Sequence, residues 1–521
     1  MRHIIFSAIL LFSITGCGGD SAASNNKERA IAPATIESTE ANSTANNRMA
    51  LAVLENNSSE TPVPELNSTM EPPQVEKIVT IFIHGYDKKG YKKEALYGSD
   101  EALEKHSDVV DLVGFSTLND AGQSELKDNL LLATNYYGNE APDYYTEQDI
   151  KDIEEITALH GGGIPRYSLI VAKYAKHVMQ EYNVSKVNFL SASMGSLVTR
   201  WLIENNVEDL ASDKKIAKWL SFEGVVRGNY PASSSTLVDL AEFFEKQSPD
   251  VEHMSYNWID KQFSSRAIGD SVYYKDIQLG FETSTDDNLI EKLLSKYLVL
   301  NGGYKPNDGY QLARDTYFEM NDTNKLFNDL PPTHTYFHQN HLDLADHQPA
   351  WAQAVTFLTS KKRVRITLTK ATVSDIHEER KKIKVFGHVV ASHNFKPAEI
   401  VFSSSVVSPK VDELWGISNP IDSRTLNSGA LPIHKYKENG DTNTLNQELF
   451  NDFVHQDETT LTLHLNAHEI DFHLKYNREE LTGHKTENLG KGSINIPMEN
   501  GTHQISGADW EGEVKVEIFE Y

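Results

Sequence analysis

The stretch VNFLSASMGSLV, residues 187–198, decides the fold of this chain. An apolar run typical of a buried strand ends at small residues around Ser193, and an apolar spacing typical of a helix begins directly after them. A strand that changes into a helix within a few residues needs a tight turn, and the small neighbours Ser191 and Gly195 leave room for one. The alternative interpretation is a buried strand followed by an ordinary serine-rich turn.

A second apolar run, Ile78–Ile83, predicts another buried strand, and His84-Gly85-Tyr86 follows it directly. These motifs, the segment NYYG at 135–138, the helix start PRY at 165–167 and the sequence SASMGS together resemble bacterial lipases of the α/β-hydrolase superfamily. The resemblance covers roughly residues 76–360. It implies a mostly parallel sheet flanked by helices, and hydrolysis of acyl esters by a Ser-His-acid triad.

The resemblance assigns roles to residues of the two motifs. It implies that Ser193 is the nucleophile, and that the backbone N–H groups of Tyr86 and Met194 form the oxyanion hole. The chain departs from the G-x-S-x-G pattern of the family, because Ser191 stands where the family usually has glycine. An alternative oxyanion loop is HGGG at 160–163, but the helical spacing before it favours a helix end followed by a loop.

The acidic member of the triad is expected after the nucleophile and before the histidine. Tyr297–Leu300 predicts a late strand, and Asp308 lies in the Asp-Gly loop that follows it, where lipases keep the acid. We therefore predict that Asp308 orients the imidazole, although an Asp before Gly is also common in simple turns. Asp270 and Asp315 are weaker candidates, because neither lies in a comparable loop.

Four histidines crowd one segment: His334, His338, His341 and His347. His341 precedes the predicted last helix of the domain, as the catalytic histidine of lipases does, and is our candidate for the general base; His338 and His347 are the alternatives. The cluster could suggest a metal site, but two consecutive prolines argue against a helix there and no HExxH pattern occurs. We predict neither a metal nor a cofactor.

The N-terminus has the pattern of an export signal. A short apolar region follows Arg2, and the sequence ITGC ending at Cys17 resembles the lipobox of bacterial lipoproteins. The resemblance implies cleavage before Cys17, lipidation of that residue and anchoring to the membrane, with Gly18 favouring the outer membrane. Residues 18–75 are polar with almost no aromatics, which predicts a disordered linker.

Charge and cysteine content exclude several classes of protein. The formal net charge of −26 argues against nucleic acid as a partner and against electrostatic attraction to anionic lipids. Cys17 is the only cysteine, which excludes a disulfide framework and a cysteine-based metal site. The sequence makes no prediction about the oligomeric state.

An insertion is predicted within the hydrolase domain, which we place at 76–362. Residues 230–295 show amphipathic stretches and no clean strand, which predicts a helical cap; it could act as a lid over the acyl pocket or simply shield the sheet. Before it, Glu223–Gly228 lies where many lipases have a Thr-Pro-His-x-Gly loop, and does not keep that sequence.

A second domain is predicted at 363–521. Val364, Ile366 and Leu368 alternate with polar residues, and the same period recurs at 384–390, 460–465 and 514–518. This pattern predicts an all-β sandwich with long polar loops around 405–455 and an accessory role. Glu469 and Asp471 could hold calcium in a C2-like fold, but paired acids on a strand are usually a solvated face.

The sequence therefore predicts a serine ester hydrolase, a lipase, exported as a lipoprotein and acting on an acyl ester or lipid. A phospholipase or thioesterase with the same triad is the alternative within the same chemistry. A catalytically idle surface binding lipoprotein is the alternative from another class. The departures at Ser191 and at 223–228 leave room for it, but the intact order of Ser193, Asp308 and His341 argues against it.

Overall fold

A computed structural model of the chain describes residues 78–87, 97–98, 129–233, 249–284, 307–320, 327, 330–337, 339–341, 344, 347–376, 381–385, 388–393, 397–410, 432–470 and 486–521. The signal peptide 1–17 with Cys17, the linker 18–75, the strand predicted at Tyr297–Leu300, His338 and Asp471 lie outside the described residues. Those expectations remain predictions.

The described strands of the hydrolase part of the chain are β1 (Ile78–Ile83), β2 (Asn129–Ala133), β3 (Val187–Ala192), β4 (Ile216–Phe222), β5 (Ile268–Gly269), β6 (Gln278–Ser284), β7 (Glu319–Met320) and β8 (Thr333–Phe337). Six of them form a parallel sheet at its centre, in the order β2-β1-β3-β4-β6-β8, while β5 and β7 pair separately. Parallel sheets are covered on both faces, which explains the dense apolar runs of the sequence. Ile81 packs into one core, while the next residue, Phe82, packs into another on the opposite face with Trp351.

Helices cover both faces of this sheet. They are α1 (Glu147–His160), α2 (Ile164–Glu181), α3 (Met194–Glu204), α4 (Tyr230–Ser233), α5 (Pro249–Met254), α6 (Tyr256–Gln262) and α7 (Gln348–Thr359). The helix end predicted at the HGGG sequence is confirmed: α1 ends at His160, and Gly161 caps it with a left-handed φ of 74°. No helix in the described part of the chain is long and apolar enough to cross a lipid bilayer.

The predicted extent of the cap is wrong at its C-terminal side. The described residues 230–233 and 249–262 carry the short helices α4–α6, but Gln278–Ser284 forms β6, an interior strand of the main sheet. Only Leu279 and Phe281 of that strand are large apolar residues; its other residues are Gly280 and four buried polar ones, Gln278, Glu282, Thr283 and Ser284. A buried strand with so many polar residues lacks the apolar run that identifies strands in a sequence.

The C-terminal part of the chain is an antiparallel β-sandwich. Its strands are β9 (Lys362–Val373), β10 (Lys381–Val385), β11 (His388–His393), β12 (Ala398–Val407), β13 (His434–Tyr436), β14 (Asp441–Phe453), β15 (Thr460–Ile470), β16 (Thr486–Pro497), β17 (Gly501–Ser506) and β18 (Trp510–Glu520). Two four-stranded sheets, β13-β12-β15-β16 and β14-β9-β18-β17, enclose one apolar core. The alternation at 364–368 is confirmed, because Val364, Ile366 and Leu368 are buried in that core.

Two details of the predicted sandwich are wrong. The segment 384–390, predicted as one strand, contains the end of β10 and the start of β11, two strands that pair with each other. The segment 405–455, predicted as polar loops, contains the 13-residue strand β14. β14 lies at the edge of its sheet, where polar side chains such as those of DTNTLNQ are tolerated on the solvent side, so its sequence resembles a loop.

The sandwich packs directly on the hydrolase part, and all described residues belong to one compact unit, Gln74–Tyr521. Phe453 of β14 lies in the same core cluster as Trp351 and Phe357 of α7. Arg363 of β9 donates to the side-chain oxygen of Asn451 and to the backbone oxygen of Pro331. The boundary between two domains at residue 363 therefore remains a prediction.

Candidate active site

The strand-to-helix turn predicted at Ser193 is confirmed, and it is a single residue long. β3 ends at Ala192, α3 begins at Met194, and Ser193 between them has φ 48° and ψ −121°. Non-glycine residues rarely adopt positive φ values, and such strained conformations are concentrated at functional sites. Two backbone hydrogen bonds hold the turn: Ser193 N–H donates to Phe222 O at 3.0 Å, and Val225 N–H donates to Ser193 O at 2.9 Å.

Two glycines allow the end of β1 to approach this turn. A Cβ atom on Gly195 would lie 2.3 Å from the backbone oxygen of Ile83 and 2.6 Å from that of His84. A Cβ atom on Gly85 would lie 2.9 Å from Cβ of Ser193. Real side chains do not approach so closely, so only glycine at both positions brings the His-Gly loop against the turn.

Tyrosines hold the His-Gly loop in place. The Tyr136 hydroxyl donates to the backbone oxygen of His84 and lies 3.1 Å from that of Gly85, and its ring stacks on the His84 imidazole at 4.0 Å. The Tyr137 hydroxyl accepts the N–H of Asp87 and donates to the buried carboxylate of Asp250 at 3.1 Å. The NYYG segment at 135–138 therefore fixes the backbone next to Tyr86.

The departure at Ser191 has a local explanation. The Ser191 side chain is fully buried, and its hydroxyl accepts the indole N–H of Trp219 at 2.7 Å. It also lies 3.2 Å from the hydroxyl of Ser196, which in turn accepts the hydroxyl of Ser221 at 2.9 Å. A glycine at position 191 would leave the buried indole N–H of Trp219 without this acceptor.

We predict that Ser191→Ala destabilises the protein by about 1–3 kcal/mol, because it leaves a buried N–H donor unsatisfied. Chemical denaturation of the variant measures this loss. In a Trp219→Phe background the donor is already absent, so Ser191→Ala is expected to cost clearly less there. Equal costs in the two backgrounds would show that the hydroxyl does not act through Trp219.

The structure brings the three predicted triad residues into one line. Nε2 of His341 lies 3.3 Å from Oγ of Ser193, and Nδ1 lies 2.7 Å from Oδ2 of Asp308. A carboxylate can only accept hydrogen bonds, so the proton of a neutral imidazole resides on Nδ1 and leaves Nε2 to accept the serine hydroxyl. This arrangement is the one required for a base that removes a proton from Ser193.

Asp308 is held rigidly in this arrangement. Its side chain is fully buried, and Oδ1 accepts the backbone N–H groups of Tyr310 at 2.9 Å and Gln311 at 2.6 Å. The Ser284 hydroxyl, at the end of β6, donates to Oδ2 at 3.2 Å. The backbone N–H of His341 also donates to the Asp308 backbone oxygen at 3.1 Å, which fixes the two loops relative to each other.

The alternative residues have other partners. Asp270 is exposed and accepts the Ser264 hydroxyl, and Asp315 is buried and accepts the Tyr256 hydroxyl. His334 lies on β8 and not in a loop as expected; it is 2.9 Å from the Thr283 hydroxyl, and burial lowers its pKa to about 3. His347 precedes α7 and packs its ring edge against Phe337. His338 lies outside the described residues.

Glu223 is a site residue that the sequence did not identify. Its Oε2 lies 3.2 Å from Nδ1 of His341, the same nitrogen that faces Asp308. Glu223 is buried and directly follows β4, the strand beside β3. The carboxyl ends of neighbouring parallel strands lie at one edge of a sheet. An acid directly after the strand that follows the Ser193 turn was therefore the sequence signal that could have identified Glu223 as a site residue.

A second buried acid, Glu282, lies on the next strand. Neither of its carboxyl oxygens has a hydrogen-bond partner among the described residues. Burial raises the pKa of Glu282 well above its ordinary value, and the nearby charges of Asp452 and Glu223 raise it further. Burial therefore favours the neutral form of the Glu282 carboxyl.

Glu223, Asp308 and His341 are also the residues that could hold a metal ion, because their ligand atoms lie within 4.8 Å of one another. A metal bound to Nδ1 would displace the proton to Nε2 of a neutral imidazole. Nε2 would then donate to Ser193 and could not accept its proton. Metal binding at this position and a basic Nε2 are therefore mutually exclusive.

No protein-family model matches this sequence, and no curated protein matches it. Solved structures with a similar fold include the mature lipase BlEst2 of Bacillus licheniformis, which is 12% identical with a TM-score of 0.32 and covers 54% of this chain and 91% of its own. The lin2722 gene product of Listeria innocua is 11% identical with a TM-score of 0.30, and the match covers 55% of this chain and 94% of the Listeria chain. Phospholipase PlaB of Legionella pneumophila is 10% identical with a TM-score of 0.32, and the match covers 75% of this chain and 86% of the PlaB chain. These similarities are too distant to support any inference about the site. The chain itself has the α/β-hydrolase fold, with its parallel sheet and the turn at Ser193, followed by an all-β sandwich.

Proposed function

We propose that this protein is a serine ester hydrolase, a lipase that cleaves acyl esters through Ser193, His341 and Asp308. The observation that carries the proposal is the position of the His341 imidazole, with one nitrogen 3.3 Å from Oγ of Ser193 and the other 2.7 Å from Asp308. A serine hydroxyl is a weak nucleophile, and an adjacent base oriented by a third group is the usual means of activating it.

The reaction would proceed in two steps. Nε2 of His341 takes the hydroxyl proton while Oγ of Ser193 attacks the ester carbonyl, and the same proton then passes to the leaving alcohol as the acyl-enzyme forms. In the second step His341 takes a proton from water while the water oxygen attacks the acyl carbon. The bond from that carbon to Oγ of Ser193 then breaks, His341 returns the proton to Oγ, and the acid is released. Asp308 keeps Nδ1 protonated and stabilises the imidazolium in both steps.

Two backbone N–H groups would stabilise the negative charge on the carbonyl oxygen. Met194 is the first residue of α3, and the first N–H groups of a helix have no acceptor within that helix. Tyr86 follows Gly85, whose backbone lies against Ser193. Losing one such donor typically lowers kcat by about 10²–10³-fold.

Fluorophosphonate labelling tests the proposal, because these reagents modify only an activated serine. We expect rapid, stoichiometric labelling of the folded protein, mapped to Ser193 by mass spectrometry, and none of the heat-denatured protein. Absence of labelling in the folded protein would contradict the proposal and favour the idle binding lipoprotein. Turnover of triacylglycerol, phospholipid and acyl-CoA then distinguishes the lipase from the phospholipase and the thioesterase.

The cellular setting is also part of the proposal. We infer from the sequence ITGC that Cys17 carries the lipid anchor and that the enzyme acts at the outer membrane. A hydrolase attached in this way would meet its lipid substrates at the surface to which it is bound, without electrostatic attraction to the bilayer.

A further inference from the structure

Nδ1 of His341 has two carboxylates within reach. Oδ2 of Asp308 lies at 2.7 Å and Oε2 of Glu223 at 3.2 Å, and the Glu223 and Asp308 side chains are 5% and 0% exposed. The two acids come from different places in the fold, since Glu223 follows β4 and Asp308 lies in the segment between β6 and β8. An imidazole needs only one acceptor for its Nδ1 proton, so the second carboxylate requires an explanation.

The position of Glu223 is enforced by the turn that carries Ser193. Glu223 has a left-handed φ of 49°, and its N–H donates to the backbone oxygen of Glu282 at 2.9 Å. Two residues close to Glu223 in sequence form hydrogen bonds with the backbone of Ser193: Phe222 O accepts the N–H of Ser193, and the N–H of Val225 donates to Ser193 O. A Cβ atom on Gly224 would lie 2.0 Å from the Ser221 hydroxyl, so the loop can follow this path only with glycine there.

A strained conformation of this kind persists only where the surroundings enforce it. Here the hydrogen bonds to Ser193 and Glu282 enforce it. The result is that the backbone holding the nucleophile also turns a carboxylate toward the ring of the base.

We propose that Glu223 is a second positioning residue for His341, which shares the Nδ1 proton with Asp308 and can hold it alone. The inference rests on the proposed function, because it assigns a role within the same site. Glu223 keeps the imidazole in the tautomer with a basic Nε2 and adds a second negative charge beside the imidazolium. The site therefore tolerates loss of either carboxylate and not of both.

The kinetic test compares Asp308→Asn, Glu223→Gln and the double variant. Both substitutions keep the size of the side chain, and the amide introduced by Asp308→Asn retains an oxygen for the N–H groups of Tyr310 and Gln311. Loss of a single triad carboxylate typically lowers kcat about 10⁴-fold. We expect about a 10²-fold loss for Asp308→Asn, about 10-fold for Glu223→Gln, and about 10⁴-fold or more for the double variant. A double variant no slower than Asp308→Asn would overturn the proposal.

The pH profile separates positioning from a merely structural role. Among the described residues, the groups facing His341 include Glu223, Asp308, the Ser193 hydroxyl and the ring of Tyr310 at 5.6 Å. Removing one negative charge destabilises the imidazolium, so the acid limb of kcat/KM should move to lower pH in Glu223→Gln. A limb that stays in place would contradict the proposal. Glu282→Gln is the matched control, since it removes a buried carboxyl on the adjacent strand β6.

A spectroscopic measurement makes the inference independent of activity. A proton shared between Nδ1 and a carboxylate gives a low-field resonance in the ¹H NMR spectrum. We expect this resonance in the wild type, at a shifted position in each single variant, and none in the double variant. Loss of the signal in Asp308→Asn alone would overturn the role of Glu223. If the resonance behaves in this way in the wild type and the variants, but the wild type is not labelled by fluorophosphonate, only the proposed hydrolase activity is overturned.

Treatment with a chelator distinguishes a proton shared by Glu223 and Asp308 from a metal ion bound to them. If the three residues held a divalent ion, Nε2 of His341 would carry the proton and could not accept that of Ser193. Dialysis against EDTA would then raise the activity and Zn²⁺ would lower it again, which would overturn the shared proton. We expect the rate and the low-field resonance to be unchanged by EDTA.

Discussion

Ser193→Ala is expected to lower kcat for hydrolysis of a p-nitrophenyl acyl ester by on the order of 10⁴–10⁶-fold. The substitution removes the attacking oxygen and leaves the backbone N–H groups and the base in place. Residual turnover above the rate in water would come from the oxyanion hole and binding alone. Steady-state kinetics of the purified protein measure the loss.

The fold is expected to survive this substitution. Alanine meets the same backbone requirement at φ 48° as serine does, and the described contact of the hydroxyl is with His341. The melting temperature should therefore stay within a few degrees of wild type. Ser264→Ala, at an exposed serine bonded to Asp270, is the control and should retain full activity. Wild-type turnover by Ser193→Ala would exclude Ser193 as the nucleophile.

His341→Ala is expected to cost about as much as loss of the nucleophile, because triad members act as a unit and their losses are not additive. The variant keeps Oγ of Ser193 but has no group to take its proton. Fluorophosphonate labelling should slow in parallel with ester hydrolysis. Added imidazole should restore part of the rate by occupying the space that the side chain leaves.

Parallel variants test whether the effect is specific to His341. His338→Ala and His347→Ala remove the two other histidines that the sequence offered as the base, and each should stay within about ten-fold of wild type, the effect of a hydrogen bond or less. His334 is less suitable as a control, because its partly buried ring stacks on Tyr336 and its loss would disturb the sheet. A loss of several orders of magnitude in His338→Ala would move the base to that residue.

Local sequence patterns predicted the elements that position the site. Ile78–Ile83 and the strand before Ser193 form adjacent parallel strands, and the glycines of the two motifs lie where their backbones come together. These features could be read from sequence because each depends on neighbours within a few residues: an apolar run, a small residue, a helical spacing. The same holds for the alternating strand at 364–368.

Strands with many polar residues could not be read in this way. β6 is buried although it carries Gln278, Glu282, Thr283 and Ser284, and β14 is a long strand with the sequence of a loop. Neighbouring elements bury the polar side chains of β6, and the edge position of β14 leaves many of its polar side chains in solvent. Local propensity contains no information about such neighbours.

The sequence by itself determined the strand-to-helix turn at Ser193, the His-Gly loop after β1 and the order of Ser193, Asp308 and His341 along the chain. Only the tertiary structure decided which histidine and which acids meet. His341 and Asp308 are 148 and 115 residues from Ser193, and Glu223 reaches the imidazole from a third segment. The physical reason is that parallel strands bring their carboxyl ends to one edge of the sheet whatever their separation in sequence. The side chains that face each other there depend on loops whose paths are set by close packing and by strained residues such as Glu223.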